Sequence, residues 1–364
     1  MDYAYDIVLS LDAGGTNFVF SAISKGKIVG NIITKPSNAS NLNNCLNGMV
    51  AGFNEVVASL PQKPIAISFA FPGPADYPNG VIGDLGNLPA FRGGVALGPM
   101  LEETFGVPVF INNDGDLFAL GEAISGFLPK INTQLQQNAN PRKYRNLLGV
   151  TLGTGFGAGF VHNGELYIGD NSAGAEIWVT RSMLKSACFA EEEISIRAIK
   201  RNFAFKTGNE KDTDLSPKEI FDIAKGAAAN GNKNAALFAF SQFGTQLGDS
   251  LANAVTLLDC NVVIGGGLSN AFSLFAPAMM AQLNGKISTY SGSKVDRMEV
   301  KAYNLENELE MAEFLRSSTT MISVPNSNRV VPYNSKKKIG VGLSVLGTSN
   351  AVAIGAWAFA ISKL

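Results

Sequence analysis

The stretch "INNDGDLFALGEA" (111–123) sets Asp114 and Asp116 where an apolar, β-rich run, "VPVFI", gives way to a helical pattern. Two chemistries are open to such a pair. A carboxylate at a strand end that faces a cleft can serve as general base for a hydroxyl. Asp and Asn are also preferred helix caps, and acids in a first turn are stabilised by the helix dipole. On these residues alone, capping is the stronger reading. Histidine offers little competition for acid–base work. The one histidine, His162, flanks Asn163-Gly164, a firm hairpin signal between apolar runs. Ser-His-Asp or Cys-His catalysis would rest on that one badly placed residue, and histidine-rich metal sites are excluded.

Glycine lets backbone N–H groups approach a phosphate closely, and three stretches qualify: Asp12–Asn17 "DAGGTN", Thr151–Gly159 "TLGTGFGAG" and Gly265–Gly267 "GGG". A structural turn explains either of the first two equally well. The middle stretch matches a relaxed dinucleotide fingerprint, Gly153-x-Gly155-x-x-Ala158. That fingerprint needs a following helix to hold a pyrophosphate, and here another strand and a hairpin turn follow. A Rossmann dehydrogenase therefore loses its physical basis, and no G-x-x-x-x-G-K-[ST] P-loop is present. The combination is more telling. Two hairpin loops bearing Gly and Thr, one per lobe across a cleft, could grip a triphosphate, with Asp12 ahead of the first. The triple glycine after a strand could present backbone to a flat base. This is the geometry of the actin-like ATPase and sugar kinase architecture.

The elements that must position these residues are legible in the apolar periodicity. "DIVLSL", "NFVFSAIS" and "KIVGNIIT" read as strands, the last two joined by the turn "SKGK". A helix follows in "NLNNCLNGMVAGFNEVVASL", then the strand "PIAISFAF", a helical segment near 95–105, the strand "VPVFI" and the helix opened by the two aspartates. Near residue 148 the opening pattern returns. "LLGVTLGTGFGAGFVHNGELYIG" repeats the strand, Gly-rich turn, strand, turn, strand order of "VLSLDAGGTNFVFSAISKGKIVG". The expected fold is α/β, with two duplicated lobes: 1–121 plus 348–364, and 122–347. Helices are expected near 191–205, 216–229 and 232–258. The buried strand "CNVVIGGG" then precedes a helix starting near Ser269. Residues 286–341 mix β-like and helical patterns. Residues 127–147, rich in Gln and Asn, read as a polar surface insertion.

At 364 residues, 46% hydrophobic and 39 glycines, the chain is long enough for two globular domains. Net charge is −1 and the largest basic cluster is "KKK" at 336–338, so no nucleic-acid surface is expected. Three scattered cysteines fit no disulfide framework or CxxC metal pattern and point to a reducing compartment. The N-terminus has no signal-peptide pattern, and "AVAIGAWAFAI" is too short to span a bilayer. A soluble, cytoplasmic protein without a membrane partner is expected.

Seven motifs in order resemble the ROK family of bacterial sugar kinases and sugar-responsive repressors: "LDAGGTN", "FAFPGPAD" with "NLPAF", "NNDGDLFALGEA", "TLGTGFGAGFVHNGELYIG", "AGAEIW", "LDCNVVIGGGLSNA" and "LGTSNAVAIGAWAFA". The resemblance implies the actin-like ATPase (ribonuclease H-like) fold with a central cleft. It also implies ATP-dependent phosphorylation of a hexose or N-acetylhexosamine at the 6-hydroxyl. Asp114 matches the family's general base, and the position of Asp116 is normally Asn, which returns Asp116 to a first-turn role. Asp12, Gly14, Gly15, Thr16, Asn17, Gly153, Thr154, Gly155, Gly265, Gly266 and Gly267 match the ATP and phosphate segments, with Mg²⁺ held through Asp12. Asn87, Asn113, Asp114, Glu176 and Glu191 match sugar contacts. A homodimer is the usual assembly in the family. The repressor branch carries a helix-turn-helix domain before the first phosphate loop, and eleven residues precede Asp12 here, so a DNA-binding regulator is not expected. A non-catalytic sugar sensor is the alternative. The family histidine, a ligand to both sugar and a structural zinc, falls at Val179, and of its cysteine triad only Cys188 stands in the region. No tetrahedral zinc site is expected.

Overall fold

The computed structural model describes residues 6–73, 75–84, 89–209, 213–228 and 231–364. The chain divides into two compact units. One comprises Met1–Leu128, Gly159–Ala175 and Val345–Leu364; the other comprises Pro129–Ala158 and Glu176–Ser344.

In the first unit, five strands lie in the order Lys27–Pro36, Asn17–Ser24, Val8–Ala13, Ala66–Ala70, Val109–Asn112. The first three are antiparallel, and the last two run parallel to Val8–Ala13. Lys25 and Gly26 join the first hairpin with φ of 51° and 71°, the left-handed pair of a type I′ turn. Helix Leu42–Ala58 buries Cys45, Met49, Phe53 and Val56, spaced to share one face, against a phenylalanine-rich core. Phe20 meets Phe53 edge-on, 5.1 Å between centroids, and lies over Gly52, where a side chain would strike its ring. Helix Asp114–Ile124 packs on helix Thr348–Lys363 through small residues. Gly121 faces the Ala351 carbonyl and Gly355 faces the Leu117 carbonyl, each too closely for a methyl group. The two backbones are thereby fastened in one register.

In the second unit, the strands Leu147–Leu152, Asn261–Gly265, Lys338–Leu343 and Lys301–Asn304 lie side by side and parallel. Helix Lys233–Leu258 packs on Phe272–Leu283, with Gly244 and Gly248 admitting the carbonyls of Phe275 and Met279. Strand Phe156–His162 starts in this unit. Its later residues pair with Glu165–Tyr167 in the first unit around Asn163-Gly164, whose φ values of 52° and 88° form a second type I′ turn.

One expectation needs correction. Residues 127–147 are not a surface insertion. Phe127–Gln137 is a helix in which Phe127, Leu128, Ile131 and Leu135 are buried. Those four sit at helical spacing inside a polar composition, and spacing rather than mean polarity decides burial. The turn-rich reach of 286–341 holds two antiparallel ribbons, Lys286–Ser288 with Lys294–Asp296 and Thr319–Ser323 with Val330–Asn334. The first unit also extends beyond residue 121, to Leu128, and takes in Gly159–Ala175. Gly159 lies against the backbone of Gly115 and Asp116 with no room for a Cβ. Among the described residues, no helix is long and apolar enough to cross a membrane.

Candidate active site

Asp12 ends strand Val8–Ala13 opposite Ala70, and Ala70 is opposite Asn112 on the next parallel strand. Asp12, near the end of Val8–Ala13, and Asp114, just past Val109–Asn112, thus emerge at the carboxyl ends of two parallel strands with Ala66–Ala70 between them, where open α/β sheets place ligands. Both line one pocket of ≈ 370 Å³, whose polar wall includes Ser10, Ser21, Thr348 and Asn350.

The capping question has a direct answer. Asn113 is the N-cap of helix Asp114–Ile124, its Oδ1 accepting the N–H of Gly115 at 2.6 Å and of Asp116 at 3.4 Å. The helix does not depend on Asp114 for its cap. Asp114 Oδ1 accepts the Gly115 N–H at 2.9 Å. Its side chain is open to the pocket yet hemmed in by protein, and that desolvation raises its pKa above the ordinary carboxylate value. The Gly115 N–H opposes the rise, and the negative charge of Asp12 adds to it. Asp116 lies in the same first turn, buried.

The first glycine loop is pinned by Ser37, a buried residue that sequence reasoning missed. Ser37 donates its N–H to the Thr16 carbonyl at 2.9 Å and its hydroxyl to the Gly15 carbonyl at 2.6 Å. A Cβ on Gly14 would lie 2.7 Å from the Asn17 carbonyl oxygen, while Gly15 faces open space. Only a turn-like "PSN" after the strand marks Ser37 in the sequence. Glu122 was missed as well. Fully buried, it accepts the N–H groups of Phe127, Val345 and Leu346, at 2.7, 3.1 and 3.0 Å.

In the second unit, Gly153 donates to the Gly155 carbonyl at 3.0 Å, and its own carbonyl accepts the Ile196 N–H. Glu191, in the 3₁₀ turn Ala190–Glu192, accepts the Phe156 N–H at 3.0 Å and pairs with Arg197 at 3.2 Å. Arg197 also reaches the Thr154 carbonyl. A Cβ on Gly155 would lie 2.8 Å from the Glu191 carboxylate. Glu191 therefore grips the second glycine loop. Gly265 ends its strand. Gly266, at φ 85°, presses on the Leu152 backbone, and Gly267 faces open space. Gly266 is thus required by packing, and Gly267 is the position that leaves backbone accessible. Glu176 precedes the 3₁₀ turn Ile177–Val179, and its carboxylate accepts the indole N–H of Trp178. Val179 is 57% exposed. Asn87 lies outside the described residues. Among the described residues, no group of three or more His, Cys, Asp and Glu side chains is placed to hold a metal ion.

Comparison with known proteins places this geometry in context. The chain is 30% identical over 223 residues to the N-acetyl-D-glucosamine kinase of Vibrio parahaemolyticus, covering 56% of this chain and 66% of that protein. It spans between 49% and 66% of the length of the curated relatives it matches first. A crystal structure of glucokinase from Parabacteroides distasonis superposes with a TM-score of 0.90 at 49% identity, with all of both chains covered. A ROK family glucokinase from Streptomyces griseus, in complex with glucose and AMPPNP, shares the fold at TM-score 0.59 and 17% identity, covering 96% of this chain and 97% of that one. The fold is the actin-like ATPase fold, a mixed α/β architecture. The ROK family model matches residues 8–309, and the chain belongs to the ROK family.

Proposed function

We propose that this ROK protein is an ATP-dependent sugar kinase that phosphorylates the 6-hydroxyl of a hexose or N-acetylhexosamine. The observation that carries the reading is Asp114: a carboxylate freed from capping by Asn113, set in a pocket with Asp12, its pKa raised by burial. A base whose pKa moves toward the working pH is suited to proton abstraction from an alcohol. The names of the relatives, glucokinase and N-acetylglucosamine kinase, support the substrate class.

In this reading, Asp114 takes the proton of the sugar hydroxyl while that oxygen attacks the γ-phosphorus of ATP. The bond to the β–γ bridging oxygen breaks and ADP leaves with its electron pair. Gly14, Gly15, Thr16 and Asn17 of the first loop, and Gly153, Thr154 and Gly155 of the second, bind the phosphates through backbone N–H and hydroxyl groups. The open faces of Gly15 and Gly153 fit that task, since nothing in the protein fills the space a side chain would take. Gly265, Gly266 and Gly267 lie on the adenosine side. Mg²⁺, when bound with ATP, neutralises charge developing on the β- and γ-phosphates. Asp12, already in the pocket, is the carboxylate that would hold it. Asn113 has spent its Oδ1 on the helix cap and offers its amide N–H groups to a sugar hydroxyl. Glu176 and Glu191 are acceptors for further hydroxyls, and Asn87 adds another contact. The protein acts in the cytoplasm as a homodimer and binds no nucleic acid.

The test is an ADP-release assay with Mg-ATP and a panel of hexoses and N-acetylhexosamines. Sugar-dependent ADP formation supports the kinase. Sugar-induced thermal stabilisation without ADP would instead identify a sensor, and ATP hydrolysis indifferent to every sugar would identify an ATPase.

A further inference from the structure

We propose that Gln246 is a positioning residue for sugar binding, fixing the segment that joins Glu176 to Glu191. The inference rests on the reading of these two acids as sugar ligands. Gln246 sits in the middle of helix Lys233–Leu258 and is wholly buried, among Phe243, Leu247 and other apolar residues of that face. A buried amide in such a place is costly unless all its bonds are made. Here they are. Its Oε1 accepts the Ser182 hydroxyl at 3.1 Å and the Leu184 N–H at 3.2 Å, and its Nε2 donates to the buried Ser250 hydroxyl at 3.2 Å. Ser182 Oγ in turn accepts the Lys185 N–H at 3.1 Å.

The segment so held is closed on itself by backbone bonds. Ser182 N–H reaches the Cys188 carbonyl at 2.9 Å, and Ala190 N–H reaches that of Thr180 at 2.7 Å. Ile177 and Ala190 anchor its ends in the interior, but the apolar side chains between them are largely exposed. Val179, Met183, Leu184 and Phe189 are 57, 44, 41 and 36% exposed. With so much apolar surface left in water, the polar tether to Gln246 is what joins the middle of the segment to the helix beneath it. What the tether positions follows from the ends of the segment. Trp178 holds the Glu176 carboxylate at one end, and Glu191 at the other grips the Phe156 N–H. Glutamine thus does by hydrogen bonding what a bound metal ion could do by coordination: it cross-links a loop that lacks a core of its own.

Gln246→Met keeps the length of the side chain and removes the acceptor and donor. Gln246→Glu keeps the acceptor. In Gln246→Met the KM for the preferred sugar should rise about tenfold or more, the KM for ATP, reached only through Glu191's grip on the second glycine loop, should rise clearly less, and kcat should stay within about threefold of wild type. Gln246→Glu should return the sugar KM to within about twofold of wild type. Ser182→Ala, at the other end of the tether, should repeat the sugar-selective loss, and carries the test if Gln246→Met does not fold. An unchanged sugar KM in folded Gln246→Met or Ser182→Ala overturns the proposal. So does a loss that strikes sugar and ATP alike and is not rescued by Gln246→Glu. Sugar-induced thermal shifts separate this inference from the kinase reading. A wild type that is stabilised by sugar without turnover refutes the kinase alone, and the inference then stands or falls on whether Gln246→Met loses the shift. A wild type with neither turnover nor shift overturns both.

Discussion

Replacing Asp114 by Asn separates the chemistry of that position from its structure more cleanly than any other change. Asparagine keeps the size and the Oδ1 that accepts the Gly115 N–H, and the cap supplied by Asn113 is untouched. What disappears is the base. The loss of kcat should be about 10²- to 10⁴-fold, or about 3–5 kcal/mol of transition-state stabilisation. No nearby carboxylate can take over readily. Asp116 is buried in the helix turn, and Asp12, the other acid lining the pocket, is committed to Mg²⁺ in the proposed mechanism. Stability should move the other way. Burial and the Asp12 charge raise the folded-state pKa of Asp114. A group with a raised folded pKa contributes stability that is present below its unfolded pKa and is lost as pH rises through the folded one. At neutral pH the ionised Asp114 therefore weakens the fold, and the neutral Asn variant should melt at a higher temperature than wild type. The assays are coupled ADP release and a thermal melt at pH 7 and pH 4. Turnover within about tenfold of wild type would refute the base assignment. A melting temperature lowered at neutral pH would refute the electrostatic account.

The acidic limb of the wild-type kcat/KM profile should lie above the ordinary carboxylate range, with activity rising as pH passes upward through it. Asp12→Asn removes a like charge and should shift that limb to lower pH, as a pH–rate series would show. Gly355→Ala drives a methyl group into the Leu117 carbonyl and should cost about 1–3 kcal/mol in a denaturant titration, more if the helix pair cannot shift. Glu122→Ala strips three backbone N–H groups of their acceptor and should cost about 2–5 kcal/mol in the same experiment. EDTA should abolish sugar-dependent ADP release, and excess Mg²⁺ should restore it fully.

The sheets and the hairpins were readable because each depended on local physics. "SKGK" and "VHNGEL" carry the glycine a tight hairpin turn needs, and the strands flanking them are apolar, β-rich runs. Asp114 was readable as a strand-end acid, but whether it capped its helix was not. The decision turned on an oxygen of Asn113, a matter of rotamer rather than residue type. Ser37 and Glu122 escaped notice for a related reason. Their partners are backbone groups, in Glu122's case more than 200 residues away, and a backbone N–H has no signature in the sequence. The helix Phe127–Gln137 was hidden by its polar face, where Asn and Gln are as many as the four buried apolar residues. Gln246 was the least visible of all: a single amide within a helix pattern that was otherwise read correctly.

The first unit is assembled from three pieces of chain, the last being Val345–Leu364. Thr348 and Asn350 of that piece line the pocket of Asp114, and its Gly355 locks onto the helix that Asp114 begins. On the ribosome, where synthesis proceeds at about 5–20 residues per second, residues 129–344 must emerge before this pocket acquires its last wall. A nascent chain can present Asp12 and Asp114 early, but the pocket they line is closed only once Thr348–Ala353 has followed. Truncation ahead of Thr348 should thus abolish activity outright in a turnover assay, because it removes a whole wall of the pocket.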